Sequence, residues 1–386
     1  MLMNRWLKII PAIVVLTGLA LVAGCGTVAT PEAAPTTVST AAATSSATSA
    51  ATVASTQAPT VSATSIATSA PTQAATGSAA SSGAKTLTTT TLFMGYIANI
   101  QFAPIYVAME RGYFKDAGID IKLEPSFNET DGLTRIGVDK LQFGLISGDQ
   151  VLLARAKRAP VVYVFRWYQR FPVGVVVPAD STIIKPEDLA GHVVGVPGKF
   201  GASYVGLQAL LNAVKLKESD LKDVKAIGFD TAPVVCSKQV DASVVYIANE
   251  PAQIESKCFK VRVIKISDYA NIMSNGLVTN ETTIKDHPDL VRGMNAALAH
   301  GLADTIADPK AAYDLSRKHV DGLAANDPVQ MAVLTNSIDL WKTDHYGYSD
   351  PAAWKLTLDT LQSMGLITDP VDVNSVFSND YLPAVQ

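Results

Sequence analysis

The stretch AMERGYFKDAGIDIKLE, residues 108–124, contains the pattern that decides the fold. The stretch begins with the last residues of an apolar segment that predicts a helix over 103–111. Gly112 stops that helix, because glycine is common just past a helix end. Residues 119–124, after the turn, predict a β-strand. A helix joined to a strand by a short turn is the repeating unit of layered α/β proteins.

Strands and helices alternate in both directions from this stretch. A first series of strands is predicted at 88–95, 119–124, 143–147, 161–166 and 173–177, and a second at 193–196, 226–229, 243–247 and 261–266. Helical stretches follow near 287–307, 309–319, 328–341 and 350–364. This order is typical of α/β layers with mainly parallel sheets.

The two series of strands predict two lobes within a globular body of about 300 residues. Lobe one is expected to comprise residues 87–178 and 272–386, and lobe two residues 179–271. The chain would then pass between the lobes at two hinge crossovers, near 178–186 and 266–275. A ligand would lie between the lobes, outside the carboxyl ends of the strands.

The amino-terminal segment predicts export and attachment to lipid. Arg5 and Lys8 precede an uncharged apolar run of about 13 residues, whereas a membrane span, the alternative, needs roughly 20. The run ends in LVAGC, residues 21–25, which resembles the lipobox of bacterial lipoproteins. We therefore expect residues 1–24 to be a signal peptide. Cys25 would be the acylated residue that anchors the protein to the cell membrane, facing outside the cytoplasm.

The segment after Cys25 has the composition of a disordered stalk. Residues 26–85 consist almost entirely of alanine, threonine, serine, proline and valine, and they contain no aromatic residue. Such a segment has too little apolar surface to offset the entropy of ordering it. We therefore expect residues 25–86 to tether the globular body with a mean reach of about 40 Å.

Net charge and cysteine content limit the classes of function. The formal net charge of -4 and a pI near 5.8 leave no basic excess for binding nucleic acid. Beyond Cys25 there remain Cys236 and Cys258, each at the end of a short helical stretch beside the strand at 243–247. A disulfide between them is one expectation in an oxidising compartment, and two buried free cysteines are the other. We expect a monomer.

Four ordered motifs resemble substrate-binding proteins of ABC importers that are related to the thiamine-pyrimidine synthases. They are the stretch at 108–124, DLAGHVVGVP at 188–197, VDASVVYIANEPAQIESK at 240–257 and SNGLVTNETTIKDHPDLVRGMNAALAHG at 274–301. The resemblance implies a two-lobed α/β fold like that of periplasmic binding proteins of type II, with mixed sheets flanked by helices. It also implies that the lobes close on a small solute and deliver it to a membrane permease.

Several predicted strands end in aromatic and neutral polar side chains that suit a flat heteroaromatic solute. Aromatic faces stack on a planar ring, and amide and carboxylate groups bond to its edge. Trp167 and Tyr168 are singled out because two adjacent residues at a strand end cannot both point into one core. The other expected ligand-binding residues, for which core packing is the alternative role of the aromatic ones, are Tyr96, Asn99, Gln101, Phe102, Phe200, Ser203, Tyr204, Tyr246, Asn249 and Glu250.

The identity of the solute depends on finer resemblances. Residues 246–251, 274–277 and 328–341 resemble the riboflavin-binding members of the family, so riboflavin is the leading expectation. A thiamine-precursor pyrimidine of the formyl-aminopyrimidine type and an alkanesulfonate stay open. An anion stays open because the glycine loop at 195–201 precedes a helix, whose first backbone N–H groups can hold one. The GxxGxxG spacing of that loop differs from the GxGxxG of dinucleotide-binding sites.

A pyrimidine-synthase-like enzyme is the competing class. The resemblance implies that such synthases need a cysteine-rich signature and a pyridoxal-binding lysine, whereas Cys236 is isolated between Val235 and Ser237. The five histidines are scattered without metal-ligand spacing, and no serine stands in a G-x-S-x-G motif. We therefore predict a binding protein with no catalytic residue, no metal and no cofactor.

Overall fold

The computed structural model describes residues 86–384. The predicted signal peptide, the predicted acylation site at Cys25 and the predicted stalk through Lys85 lie outside the described residues. Within residues 86–384, no helix is both long enough and apolar enough to span a membrane.

Ten strands form two five-stranded sheets within the described part of the chain. They are β1 (Thr88–Met94), β2 (Ile119–Pro125), β3 (Phe143–Ser147), β4 (Val161–Arg166), β5 (Val173–Pro178), β6 (Val193–Val196), β7 (Asp223–Ala226), β8 (Ala242–Tyr246), β9 (Val261–Lys265) and β10 (Asn275–Asn280). The first sheet has the order β2-β1-β3-β10-β4, and the second has the order β7-β6-β8-β5-β9.

The two sheets share one plan. In the first, β1 pairs in parallel with β2 and β3, and β10 runs antiparallel between β3 and β4. In the second, β6 pairs in parallel with β7 and β8, and β5 runs antiparallel between β8 and β9. In each sheet, the antiparallel strand is the one that directly follows a crossover between the lobes along the chain. Mixed sheets of this kind agree with the α/β fold that the sequence predicts.

The predicted boundary of lobe one at residue 178 is wrong. The apolar strand β5 belongs to the second sheet, where Val173 pairs with Tyr246 and Gly174 pairs with Lys265. A central strand that is covered on both faces is a continuous apolar run in either sheet. The composition of this strand therefore could not show which lobe contains it. The chain therefore leaves the first sheet between Arg166 and Val173, not near 178–186, and it returns before β10.

Twelve α-helices cover the sheets in the described part of the chain. They are α1 (Ala103–Glu110), α2 (Tyr113–Asp116), α3 (Glu129–Gly137), α4 (Gly148–Ala156), α5 (Gly201–Ala213), α6 (Thr231–Cys236), α7 (Glu250–Lys257), α8 (Glu281–Asp286), α9 (Pro288–Ala307), α10 (Pro309–Ser316), α11 (Pro328–Trp341) and α12 (Pro351–Ser363). The last three helices each begin with an Asp-Pro pair whose aspartate caps backbone N–H groups. This is a strong local signal for a helix start.

The C-terminal helices contact both lobes. Helix α12 packs against α4 of the first lobe and α5 of the second, where Asn212 Nδ2 donates to Ser363 Oγ at 2.8 Å. Trp354 of α12 is fully buried, and its ring lies 5.0 Å from that of Tyr163 in an edge-to-face arrangement. The buried core around Trp354 includes residues of both sheets. The lobes are thus packed together beside the crossovers as well as joined by them.

A disulfide joins Cys236 and Cys258, whose Cα atoms are 5.8 Å apart. Cys236 is the last residue of α6, and Cys258 follows the last residue of α7. The bond therefore fastens the ends of two helices that pack against each other in the second lobe.

Candidate ligand-binding site

A cavity of about 630 Å³ lies between the two sheets, within the size range of small-molecule sites. Its walls come from residues that follow the carboxyl ends of strands in both lobes, among them Tyr96 after β1, Ser126 after β2, Pro197 after β6 and Phe229 after β7. This is the position at which open α/β sheets bind ligands.

Ten of the twelve residues predicted to bind the ligand line this cavity. They are Tyr96, Gln101, Phe102, Trp167, Tyr168, Phe200, Ser203, Tyr246, Asn249 and Glu250. The structure brings them together because each lies at or after the end of a strand that opens on the space between the sheets.

Asn99 and Tyr204, the other two predicted residues, do not line the cavity. The Asn99 side chain accepts a bond from the Gln101 backbone N–H at 2.8 Å, so it caps the short 3-10 helix at Ile100–Phe102. Tyr204 donates from its hydroxyl to Glu218 at 2.6 Å. This bond directs the Tyr204 side chain toward the 3-10 helix at Glu218–Asp220.

Trp167 and Tyr168 both line the cavity, although for a different reason from the one the sequence suggested. They lie in the loop after β4, where the alternation of strand side chains does not apply. Both are buried, and both rings contact Trp341, at centroid distances of 5.9 Å and 6.2 Å. One shared aromatic support therefore holds the two rings at the cavity wall.

An aromatic cluster across the two lobes was missed by the sequence reasoning. Phe127 follows β2 of the first lobe and Phe229 follows β7 of the second, and their rings stack at 4.9 Å. Tyr96 lies 5.3 Å from Phe127 and 5.9 Å from Phe229. We call these three residues the aromatic clasp. Both phenylalanines stand at or just after predicted strands, as Tyr96 does, so the same signal was present in the sequence.

The polar side of the cavity is built around two glutamates at helix starts. Glu129, the first residue of α3, accepts from the Ser147 backbone N–H at 3.0 Å and also from the Ser147 hydroxyl. Glu250, the first residue of α7, accepts from the Tyr246 backbone N–H at 3.1 Å. The Tyr246 hydroxyl donates to Asn275 Oδ1 at 3.0 Å, which links the two lobes. We call Glu129 and Glu250 the glutamate pair.

Burial shifts the proton affinity of these carboxyls. It raises the pKa of Glu129 to about 8, with a smaller contribution from the nearby Asp149 carboxyl. It also raises the pKa of Glu250 to about 7 and the pKa of Asp149 above its usual range. Because each glutamate still has a partly accessible surface that opens on the cavity, a ligand can meet it directly. The glutamate pair therefore offers hydrogen-bond acceptors and, near neutral pH, carboxyls that partly retain their protons.

None of the described residues that line the cavity is lysine, arginine or histidine. Lys199 lies in the glycine loop, but its ammonium pairs with Glu218 at 2.6 Å. Among residues 86–384, no group of three or more histidine, cysteine or acidic side chains is arranged to hold a metal ion. The cavity thus combines aromatic walls with carboxyl, amide and hydroxyl groups.

The fold is that of the periplasmic binding proteins. The periplasmic aliphatic sulphonate-binding protein of Escherichia coli superposes with a TM-score of 0.62 at 18% identity, covering 74% of this chain and 96% of that chain. The periplasmic nitrate-binding protein of Synechocystis superposes with a TM-score of 0.60 at 12% identity, covering 78% and 88%. At these identities the likeness concerns the fold alone.

The chain belongs to the family described as NMT1/THI5 like, whose sequence profile matches residues 99–312. A riboflavin-binding protein of Chloroflexus aurantiacus is 37% identical over 307 residues, which is 77% of this chain and 87% of that protein. A formylaminopyrimidine-binding protein of Halalkalibacterium halodurans is 25% identical over 307 residues, covering 76% and 91%. A 4-amino-5-hydroxymethyl-2-methylpyrimidine phosphate synthase of Legionella pneumophila is 22% identical over 298 residues, covering 76% and 92%.

Proposed function

We propose that this protein is the extracytoplasmic solute-binding lipoprotein of an ABC importer and that its solute is riboflavin. The observation that carries the proposal is the cavity, in which aromatic walls oppose a polar side rich in hydrogen-bond acceptors. A flavin ring has a large planar face to stack on Trp167 and Tyr168. Its sugar-alcohol chain has hydroxyl groups that can donate to the glutamate pair.

The similarity to a riboflavin-binding protein at 37% identity supports the same solute. A formyl-aminopyrimidine is the second candidate, because an aminopyrimidine ring would also stack on the aromatic wall and donate its amino group to a carboxyl. Its support is the relative at 25% identity. An alkanesulfonate is disfavoured, since the lining residues offer no cationic side chain to neutralise it.

We propose binding without turnover. Cys236 is committed to the disulfide and cannot act as a thiol nucleophile. The glutamate pair lies in the cavity as hydrogen-bond acceptors held by Ser147 and Tyr246, a role that does not require proton transfer to the solute.

Capture would proceed by closure of the lobes about the two crossovers. A solute shifts an open–closed equilibrium only as far as it binds the closed form more tightly. The contacts that would stabilise the closed form are those that join the lobes, namely the stacking within the aromatic clasp and the hydrogen bond from Tyr246 to Asn275. The solute would then be released to the permease when the lobes open.

We propose further that acylation of Cys25 anchors the protein and that the following segment tethers it near the permease. With about 60 residues, such a tether would reach on the order of 40 Å from the membrane. A Cys25→Ser variant should leave the membrane fraction for the soluble one and should lose incorporation of labelled palmitate. Retention of both properties would remove Cys25 from this role.

The experiment that tests the solute is an absorption spectrum of the purified protein, followed by titration of the unfolded and refolded, ligand-free protein. We expect a flavin spectrum, a 1:1 stoichiometry with riboflavin, and recovery of the flavin unchanged. Formyl-aminopyrimidine and ethanesulfonate are titrated in parallel. Binding of formyl-aminopyrimidine but not riboflavin would favour the second candidate, and conversion of the solute would contradict binding without turnover.

A further inference from the structure

We propose that the cavity selects the uncharged vitamin and rejects its phosphate ester, and that the glutamate pair is the determinant of this selection. This inference rests on the proposed function and adds a specificity to it. It concerns solutes that carry the same ring and differ only in whether an alcohol is phosphorylated.

The first support is the charge of the lining. A phosphate ester carries about -1.5 to -2 charges near neutral pH and needs cationic partners when it leaves water. The described residues that line the cavity include no cationic side chain, and they include both members of the glutamate pair. Lys199, which is near in sequence, is already paired with Glu218.

The second support is that acidic side chains already occupy the N-termini of helices around the cavity. Glu129, Asp149 and Glu250 stand in the first turns of α3, α4 and α7, so three N-terminal dipoles already face acidic side chains. Helix α5 is different, because its first turn has no acidic residue and its cap makes no side-chain hydrogen bond. Its N–H groups remain as donors for an oxygen of the solute.

The start of α5 is the feature that most favours binding of an anion, but its partial positive charge is too small to neutralise a phosphate ester. A helix N-terminus is equivalent to about half a positive charge. It therefore offsets a fraction of the charge on a phosphate ester, while the glutamate pair adds further negative charge once ionised. Neutral carbonyl or hydroxyl oxygens of the solute can accept hydrogen bonds from the same N–H groups without burying an uncompensated negative charge. The vitamin is therefore favoured over its ester.

The test measures the affinity of the full chain for riboflavin and for flavin mononucleotide at pH 8, by calorimetry and by quenching of flavin fluorescence. The pair 4-amino-5-hydroxymethyl-2-methylpyrimidine and its phosphate is measured in the same way. We expect the phosphate ester to bind at least about 100-fold more weakly than its alcohol in the pair that binds.

Two kinds of variant connect the selection to the glutamate pair. Glu129→Gln with Glu250→Gln removes the negative charge and keeps the shape, so the preference for the alcohol should fall by about ten-fold or more. Thr130→Lys adds a cation at a residue that lines the cavity, and it should strengthen binding of the ester. Thr134→Lys, one turn further along α3 and outside the lining, is the matched control and should leave the preference unchanged.

The outcomes separate this inference from the proposed function. Flavin mononucleotide binding within ten-fold of riboflavin would overturn the inference and leave riboflavin capture intact. A preference that persists undiminished in the double glutamine variant would also overturn it, since the glutamate pair would not be the determinant. Tight binding of ethanesulfonate would overturn both. Selection confined to the pyrimidine pair would support the inference and overturn riboflavin as the solute.

Discussion

The stacking of Phe127 on Phe229 gives a direct test of how closure contributes to affinity. The two residues come from different lobes, their centroids are 4.9 Å apart, and they are 47% and 44% exposed. Because they are exposed, replacing either with alanine should leave the core intact and the protein folded. Under the proposed closure, their contact would form only when the lobes approach, and it would contribute to the form that holds the solute.

The expected size of the effect follows from the geometry. An aromatic pair at this distance contributes about 0.5–1.5 kcal/mol beyond its buried area. Removing it should raise Kd by roughly two- to twelve-fold. In a double-mutant cycle, Phe127→Ala and Phe229→Ala should show a coupling of about 1 kcal/mol, because the second substitution has no partner left to lose.

The assay is titration of riboflavin fluorescence with wild type, the two single variants and the double variant. Stopped-flow release should show that the loss lies mainly in the dissociation rate, since the contact forms after encounter. Val138→Ala, which is exposed and outside the cavity lining, is the control and should not change Kd. Additive effects of the two substitutions, or an unchanged dissociation rate, would refute the view that the aromatic clasp holds the lobes closed.

Three further predictions concern stability. Replacing Cys236 and Cys258 with serine should lower the free energy of unfolding by roughly 3 kcal/mol, because the bond closes a loop with a sequence separation of 22; equal denaturant midpoints would contradict this. Gly276→Ala should abolish soluble expression, since its Cβ would lie 2.0 Å from a buried tyrosine oxygen, whereas Gly137→Ala, with no neighbour closer than 3.6 Å, should fold normally. Burial raises the pKa of Glu129 from 4.5 to about 8, so the folded state binds the proton more tightly. The stability of the ligand-free protein should therefore fall as the pH rises from about 4.5 to 8, and a melting series with Glu129→Gln should show a flatter profile.

The sequence predicted the α/β class and most of the cavity wall because both depend on local patterns. Apolar runs located nearly all strands, and the residues after them, such as Tyr96 and Trp167, line the cavity. One strand, β10, was not predicted, since its sequence NGLVTN has few apolar residues and lies among helical stretches. Strand β7 lies at Asp223–Ala226 rather than 226–229, because the chain turns at Gly228, where φ is +69°.

The rest could not be predicted because it depends on which segments meet in space. The run at Val173–Pro178 is equally apolar whichever sheet contains it, so only its pairing with β8 and β9 assigns it to the second lobe. Tyr204 follows a cavity residue in sequence, but the partner that decides its direction is Glu218, on a later 3-10 helix. Likewise, a glutamate at the start of a helix becomes a partly buried acceptor only if a neighbouring strand covers it, as Ser147 covers Glu129.

The disulfide connects these features in the second lobe. Phe229 of the aromatic clasp shortly precedes α6, and Glu250 of the glutamate pair is the first residue of α7 and lies within the loop that the disulfide closes. Since α6 and α7 pack on each other, fixing their far ends limits how their starts can move. Preorganisation of this kind reduces the conformational entropy that is lost on binding. We therefore expect the bond to act on the site as well as on stability, because under the proposed closure it would hold the second lobe in the form that the first lobe meets.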